Sequence, residues 1–136
     1  MSFRVLLVED SVADAAVAER ALEVSDGEFV VTITGSLDAG IDCLASGFDA
    51  ILLDLTLPDS AGADTVVRMR AAARTVPIIV LTSADGDGIA DRCLLAGADA
   101  YRQKARLAPT ELGHCLRRAI QRGHKPADAA PVIGSA

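Results

Sequence analysis

Short apolar runs alternate with helical patterns five times along the chain. The runs are Val5-Leu6-Leu7-Val8, Val30-Val31-Thr32-Ile33, Ala50-Ile51-Leu52-Leu53, Ile78-Ile79-Val80-Leu81 and a weaker Ala98-Asp99-Ala100-Tyr101. Each has the length of a strand, and the unbroken third run reads as one buried on both faces. Between and after the runs, segments 12–24, 37–46, 63–73, 88–96 and 109–122 read as helices. The last shows the period best: Leu112, Cys115, Leu116 and Ala119 share one face, with Arg117, Arg118 and Arg122 turned outward. Ser36 suits an N-cap, Pro109 with Thr110 suits a first helical turn, and Gly47 and Gly97 stand where helices should stop. Strand-helix alternation with short connections implies right-handed crossovers and a parallel sheet covered by helices on both sides. The expectation is a doubly wound α/β domain of five strands and five helices.

Composition narrows this picture. A chain of 136 residues makes one domain with one good core. Apolar residues are 51% but aromatics only 3%, so that core is aliphatic. Residues 1–122 are expected to fold, and 123–136, rich in Gly, Pro, Ala and Ser, to be a flexible tail. A formal charge of −6 gives no general drive onto nucleic acid or anionic membrane, and neither is expected as a partner. Cys43, Cys93 and Cys115 are far apart, which suggests neither zinc nor a disulfide framework. With no leader-like start and no apolar stretch long enough to span a bilayer, the expected location is the cytoplasm.

The chemistry collects at the strand ends. The third run closes on Asp54, followed by Leu55-Thr56-Leu57-Pro58, and a carboxylate ending a buried strand is costly unless something meets it. The first run ends in Glu9-Asp10, the fourth in Thr82-Ser83, and the fifth leads to Lys104. Ligands of doubly wound sheets sit beyond the carboxyl ends of the strands, near the point where strand order reverses. If the order is 2-1-3-4-5, Glu9, Asp10 and Asp54 share a crevice. Oxygen-only ligands with room for water describe a magnesium-type site rather than a zinc site. Each residue also has a plainer reading: Glu9-Asp10 as a helix cap, Thr82 as an ordinary strand end, Lys104 as a solvated lysine, Tyr101 as half-buried packing. The three carboxylates together resist such a reading, because unrelieved they would repel one another.

Val8-Glu9-Asp10, Asp54 with Leu57-Pro58 and Gly62, Thr82-Ser83, and Tyr101 three residues before Lys104 follow one another in a recognisable order. Over roughly residues 3 to 122 the chain resembles the receiver domain of two-component response regulators, a flavodoxin-like fold. The resemblance implies that Asp54 accepts a phosphoryl group from a histidine kinase or phosphotransfer protein. It implies Mg²⁺ held by Asp10, Asp54 and the Thr56 carbonyl, with Glu9 reaching it through water. Thr82 and Lys104 would each bind a phosphoryl oxygen, and Thr82 with Tyr101 would form the switch that alters binding of a downstream protein. Such a domain is a signalling phosphoacceptor and not a turnover enzyme. A second copy of the chain is a further candidate partner.

Three departures stand out. Ala105 follows Lys104 where the family usually has Pro, often after a cis bond, so either a trans bond in a rearranged loop or a strained cis bond is expected. Glu9 replaces the commoner Asp, and Ser83 adds a second hydroxyl. The loop 84–88, with two glycines, is the expected mobile part. Two competing classes fare worse. An Asp-nucleophile phosphohydrolase of the haloacid-dehalogenase type wants a second Asp where Thr56 stands, and a nucleotide or flavin binder wants a Gly- or Ser/Thr-rich loop where Glu9-Asp10-Ser11 would repel phosphate. No output domain is visible, which leaves action by docking, a phosphorelay intermediate, or a receiver cut from a hybrid sensor kinase.

Overall fold

The structure is a computed structural model that describes residues 2–24, 28–83 and 86–124. Five parallel strands form the central sheet: β1 (Phe3–Val8), β2 (Phe29–Thr34), β3 (Ala50–Leu53), β6 (Ile78–Thr82) and β7 (Ala100–Gln103). Between them, β4 (Thr56–Leu57) and β5 (Ser60–Ala61) make a small antiparallel hairpin. The sheet order is β2-β1-β3-β6-β7, which is 2-1-3-4-5 for the five sheet strands, the doubly wound flavodoxin-like arrangement expected from the sequence.

The alternation of side chains along each strand divides the core into two layers. Val5, Leu7, Leu52, Ile79 and Leu81 pack with Ala15, Ala18 and Leu22 of α1 (Val12–Glu23) and with Leu112, Leu116 and Ala119 of α5 (Glu111–Arg122). Leu6, Val8, Ile51, Leu53 and Val80 face α2 (Leu37–Cys43), α3 (Ala63–Ala72) and α4 (Ile89–Ala96) through Leu37, Val66, Met69 and Cys93. The pairing Leu6 to Ile51 and Leu7 to Leu52 keeps both layers in step across the β1–β3 seam. Gly40 lets α2 lie close on β1, since a Cβ there would sit 2.8 Å from Val8 Cγ2.

Local chemistry explains most boundaries. Ser36 caps α2 by accepting the Ala39 N–H, and Gly97 ends α4 at φ 118°. Helix α2 gives way at Leu44 to a short 3₁₀ turn, so it is shorter than the 37–46 pattern. Helix α5 starts at Glu111 rather than at Pro109. The fifth strand begins two residues later than expected. The Ala98 N–H is spent on Cys93 O at the end of α4, and the Asp99 side chain accepts from Ile78 N–H and Arg70. Arg117 is half-buried and pairs with Glu28 at 2.8 Å, so the arginine face of α5 is not wholly solvated. Cys43 is only partly buried, unlike Cys93 and Cys115. Residues 84–85 of the expected mobile loop and 125–136 of the expected tail lie outside the described residues.

Candidate functional site

The crevice forms where β1 and β3, neighbours in the sheet, both end. Glu9 follows β1 with its N–H on Thr34 O, and Asp54 follows β3 with its N–H on Val8 O at 3.1 Å. Both side chains are buried, while Asp10 is exposed at the rim. One ligand oxygen from each of Glu9, Asp10 and Asp54 falls within 4.8 Å of the others. Ser11, not the acidic pair, caps α1, its Oγ accepting the Asp14 N–H. One Glu9 oxygen accepts the Ser11 N–H at 3.2 Å, which fixes the carboxylate just ahead of the helix.

The two oxygens of Asp54 differ. Oδ1 accepts the Leu55 N–H at 2.8 Å and lies 3.5 Å from the Thr56 nitrogen. Oδ2 faces Lys104 Nζ at 3.3 Å. Lys104 begins a 3₁₀ turn after β7, and its side chain reaches back to three carboxylates. These are Glu9 at 2.5 Å, Asp14 at 2.9 Å and Asp54. Burial would depress the Lys104 pKa, but its bonds to Glu9 and Asp14 and the charge of Asp54 outweigh that and hold it above the ordinary lysine range. Glu9 is pushed up by burial and by Asp54 next to it, against the pull of Lys104. Four carboxylates, Glu9, Asp10, Asp14 and Asp54, gather here around the one ammonium of Lys104.

Asp14 was not among the expected site residues. The one signal for it in the sequence was an acidic residue in the first turn of the helix that follows the Glu9-Asp10 strand end. Thr82 is fully buried at the end of β6, next to β3 in the sheet. Tyr101 is half-buried on β7, packed against the α3–α4 layer. Thr56 is exposed at the start of the hairpin, two residues past Asp54. Ser83 is exposed. No cis bond occurs among the described residues, so the Lys104–Ala105 bond is trans and the loop takes the 3₁₀ form.

The hairpin holds the loop after Asp54 in place. Pro58 and Asp59 make its two-residue turn, and Asp59 caps α2 from outside, accepting from Leu37 and Asp38 N–H at 2.9 Å each. Those two N–H groups, Asp38 first, hold the Asp59 pKa below the usual carboxylate range. Arg68 braces the same turn through Asp59 O and Asp38. Ser60 Oγ meets Thr65 Oγ1 at 2.7 Å, tying the hairpin to α3.

A doubly wound parallel sheet with a carboxylate crevice at its switch point, and a lysine crossing it, defines a narrow class of domain. The response regulator receiver domain model matches residues 5–116, and the chain belongs to that family. The cell cycle transcriptional regulator CtrA of Caulobacter vibrioides is 37% identical over 102 residues, 74% of this chain and 43% of that protein. The chain therefore spans less than half of that curated relative. The two-component response regulator ORR41 of Oryza sativa subsp. japonica is 31% identical, covering 83% of this chain and 91% of that one. Among solved structures, the receiver domain of the sensor histidine kinase PA1611 from Pseudomonas aeruginosa PAO1 has a magnesium ion coordinated in its active site cleft. It superposes with a TM-score of 0.75 at 31% identity, covering 89% of this chain and 99% of that one. No helix among the described residues is long and apolar enough to cross a membrane.

Proposed function

We propose that this chain is a phosphoacceptor whose Asp54 takes a phosphoryl group from a histidine kinase or phosphotransfer protein in a Mg²⁺-dependent reaction. The observation that carries the reading is the asymmetry of Asp54: Oδ1 tied to the backbone, Oδ2 open toward Lys104 in a crevice of excess negative charge. Family membership supports it independently. Residues 1–122 form the receiver domain in this reading, working in the cytoplasm.

The donor set fits a hard divalent cation, since Glu9, Asp10 and Asp54 offer only oxygens and Asp10 opens to water. Asp10, Asp54 and the Thr56 carbonyl would hold the ion directly, and Glu9 through water. Bound there, Mg²⁺ would neutralise the carboxylates and the charge on the transferring oxygens. Asp54 Oδ2 forms the bond to phosphorus while the donor's bond to phosphorus breaks, and the leaving group keeps that electron pair. The ionised carboxylate has no proton to lose. Lys104, drawn off Oδ2, donates a hydrogen bond to a phosphoryl oxygen while keeping its proton, and the Thr82 hydroxyl donates another. Moving Thr82 vacates space that Tyr101 fills, which changes the surface offered to a downstream protein. Water later attacks phosphorus, the aspartyl oxygen keeps the bond pair, and inorganic phosphate leaves.

A place in a phosphorelay is the second reading, favoured by the 31% identity to a sensor-kinase receiver across 99% of its length. Incubation with acetyl phosphate and Mg²⁺, read by intact mass, tests the main reading. One phosphoryl group should appear on the parent and none on Asp54→Asn; equal labelling of both would overturn it.

A further inference from the structure

We propose that Asp14 restrains Lys104 and thereby slows phosphoryl transfer at Asp54, a positioning role that rests on the phosphoacceptor reading. An ammonium group has three N–H donors, and Lys104 Nζ has three carboxylates to give them to: Glu9, Asp14 and Asp54. A phosphoryl oxygen must draw on the same three hydrogens. Glu9 is a costly partner to abandon, because it is buried with its other oxygen fixed by Ser11 N–H and would be left as an unpaired charge. Asp54 Oδ2 is the reacting atom itself. Asp14 is the remaining competitor: its side chain is 45% exposed, so water replaces the lysine there at little cost.

Its carboxylate pulls the ammonium toward α1 and away from the bond being made. It also adds negative charge beside a crevice that an anionic donor must enter. Both effects raise the barrier to forming the Asp54 oxygen–phosphorus bond, and both raise the barrier to water breaking it. The Asp14 side chain takes no part in the cap of α1, where only its backbone N–H donates to Ser11 Oγ, so Asp14→Asn leaves that cap in place. It also lies outside the three-carboxylate group that fits a metal.

The test measures labelling by acetyl phosphate with Mg²⁺, and loss of the label after the donor is removed, on the full chain. The parent, Asp14→Asn and Asp14→Glu are compared, and Asp14→Asn again with Lys104→Met. Asp14→Asn should label about three- to fivefold faster, the size of a partly exposed ion pair, and lose its label faster by a similar factor. Asp14→Glu, which keeps the charge, should return to the parent rate. Beside Lys104→Met, Asp14→Asn should lose most of its gain, because the restraint runs through the lysine and only the weaker direct charge effect on the donor is left. Should the double variant not fold, the Glu comparison decides: an Asn-like rate overturns the proposal. An unchanged rate in Asp14→Asn overturns it, a slower one makes Asp14 a brace, and an undiminished gain without Lys104 makes it a mere charge. Labelling at Asp54 with any of those three results removes this proposal alone. A parent that does not label at Asp54 removes the phosphoacceptor reading with it.

Discussion

Replacing Lys104 with Met tests whether the crevice is short of positive charge. The lysine side chain is only 18% exposed and is the cation shared by Glu9 and Asp54, both buried. Removing one partner of a buried ion pair costs about 3–5 kcal/mol when the other stays charged. Glu9 has an escape, which is to take up a proton and donate it to a neighbouring oxygen. At pH 7, protonating a glutamate of ordinary pKa costs about 3.7 kcal/mol, and this sets the ceiling on the loss. At pH 5 the same ceiling falls to about 1 kcal/mol. The sign follows from proton counts: the cation's loss raises the Glu9 pKa further in the folded protein while the unfolded value stays put. Between the two values the folded state holds more protons, so stability falls as pH rises. Urea unfolding followed by circular dichroism at pH 5, 6 and 7 in EDTA should therefore show Lys104→Met falling further behind the parent at each step. Saturating Mg²⁺ should narrow the difference at pH 7, because the carboxylates freed of the lysine bind the ion more tightly in the variant than in the parent, and the tighter ligand stabilises the folded state more. A deficit that does not change with pH, or none at pH 7, would refute the charge-crowded crevice.

Other substitutions probe the supports of the site. Gly40→Ala should cost about 1–3 kcal/mol in urea unfolding, since its Cβ would stand 2.8 Å from Val8 Cγ2 on the strand that carries Glu9. Thr34 Oγ1 is buried with no hydrogen-bond partner among the described residues, so Thr34→Val should be neutral or stabilising by about 1 kcal/mol. Asp59→Asn should lower the urea midpoint at pH 7. Because the Asp59 pKa is depressed in the folded protein, its contribution is present at neutral pH and lost on acidification, so the gap between variant and parent should close below about pH 4.

Four of the five sheet strands were readable as apolar runs closed by a polar residue, whereas their order entered only as a condition; with that order, Glu9-Asp10 and Asp54 fall at the ends of strands that pair. What escaped depends on contacts between distant segments. The Thr56–Ala61 hairpin has strands of two residues each, too short for any period. Asp59 caps a helix 22 positions earlier in the chain, which only tertiary structure reveals. The start of β7 is set by where the Ala98 N–H and the Asp99 side chain are spent, not by hydrophobicity. Asp14 was legible as a helix-start acid, but its meeting with Lys104 spans 90 positions. Ala105 raised the question of the bond before it without answering it, and the chain takes the trans form.

The most direct measurement is to map the modified residue after incubation with acetyl phosphate, once with Mg²⁺ and once with EDTA, by peptide mass analysis under conditions that preserve acyl phosphates. With the metal present, one phosphoryl group should be found on Asp54, and with EDTA almost none. A label on a histidine or a hydroxyl side chain, or one on Asp54 that forms equally well in EDTA, would contradict the account.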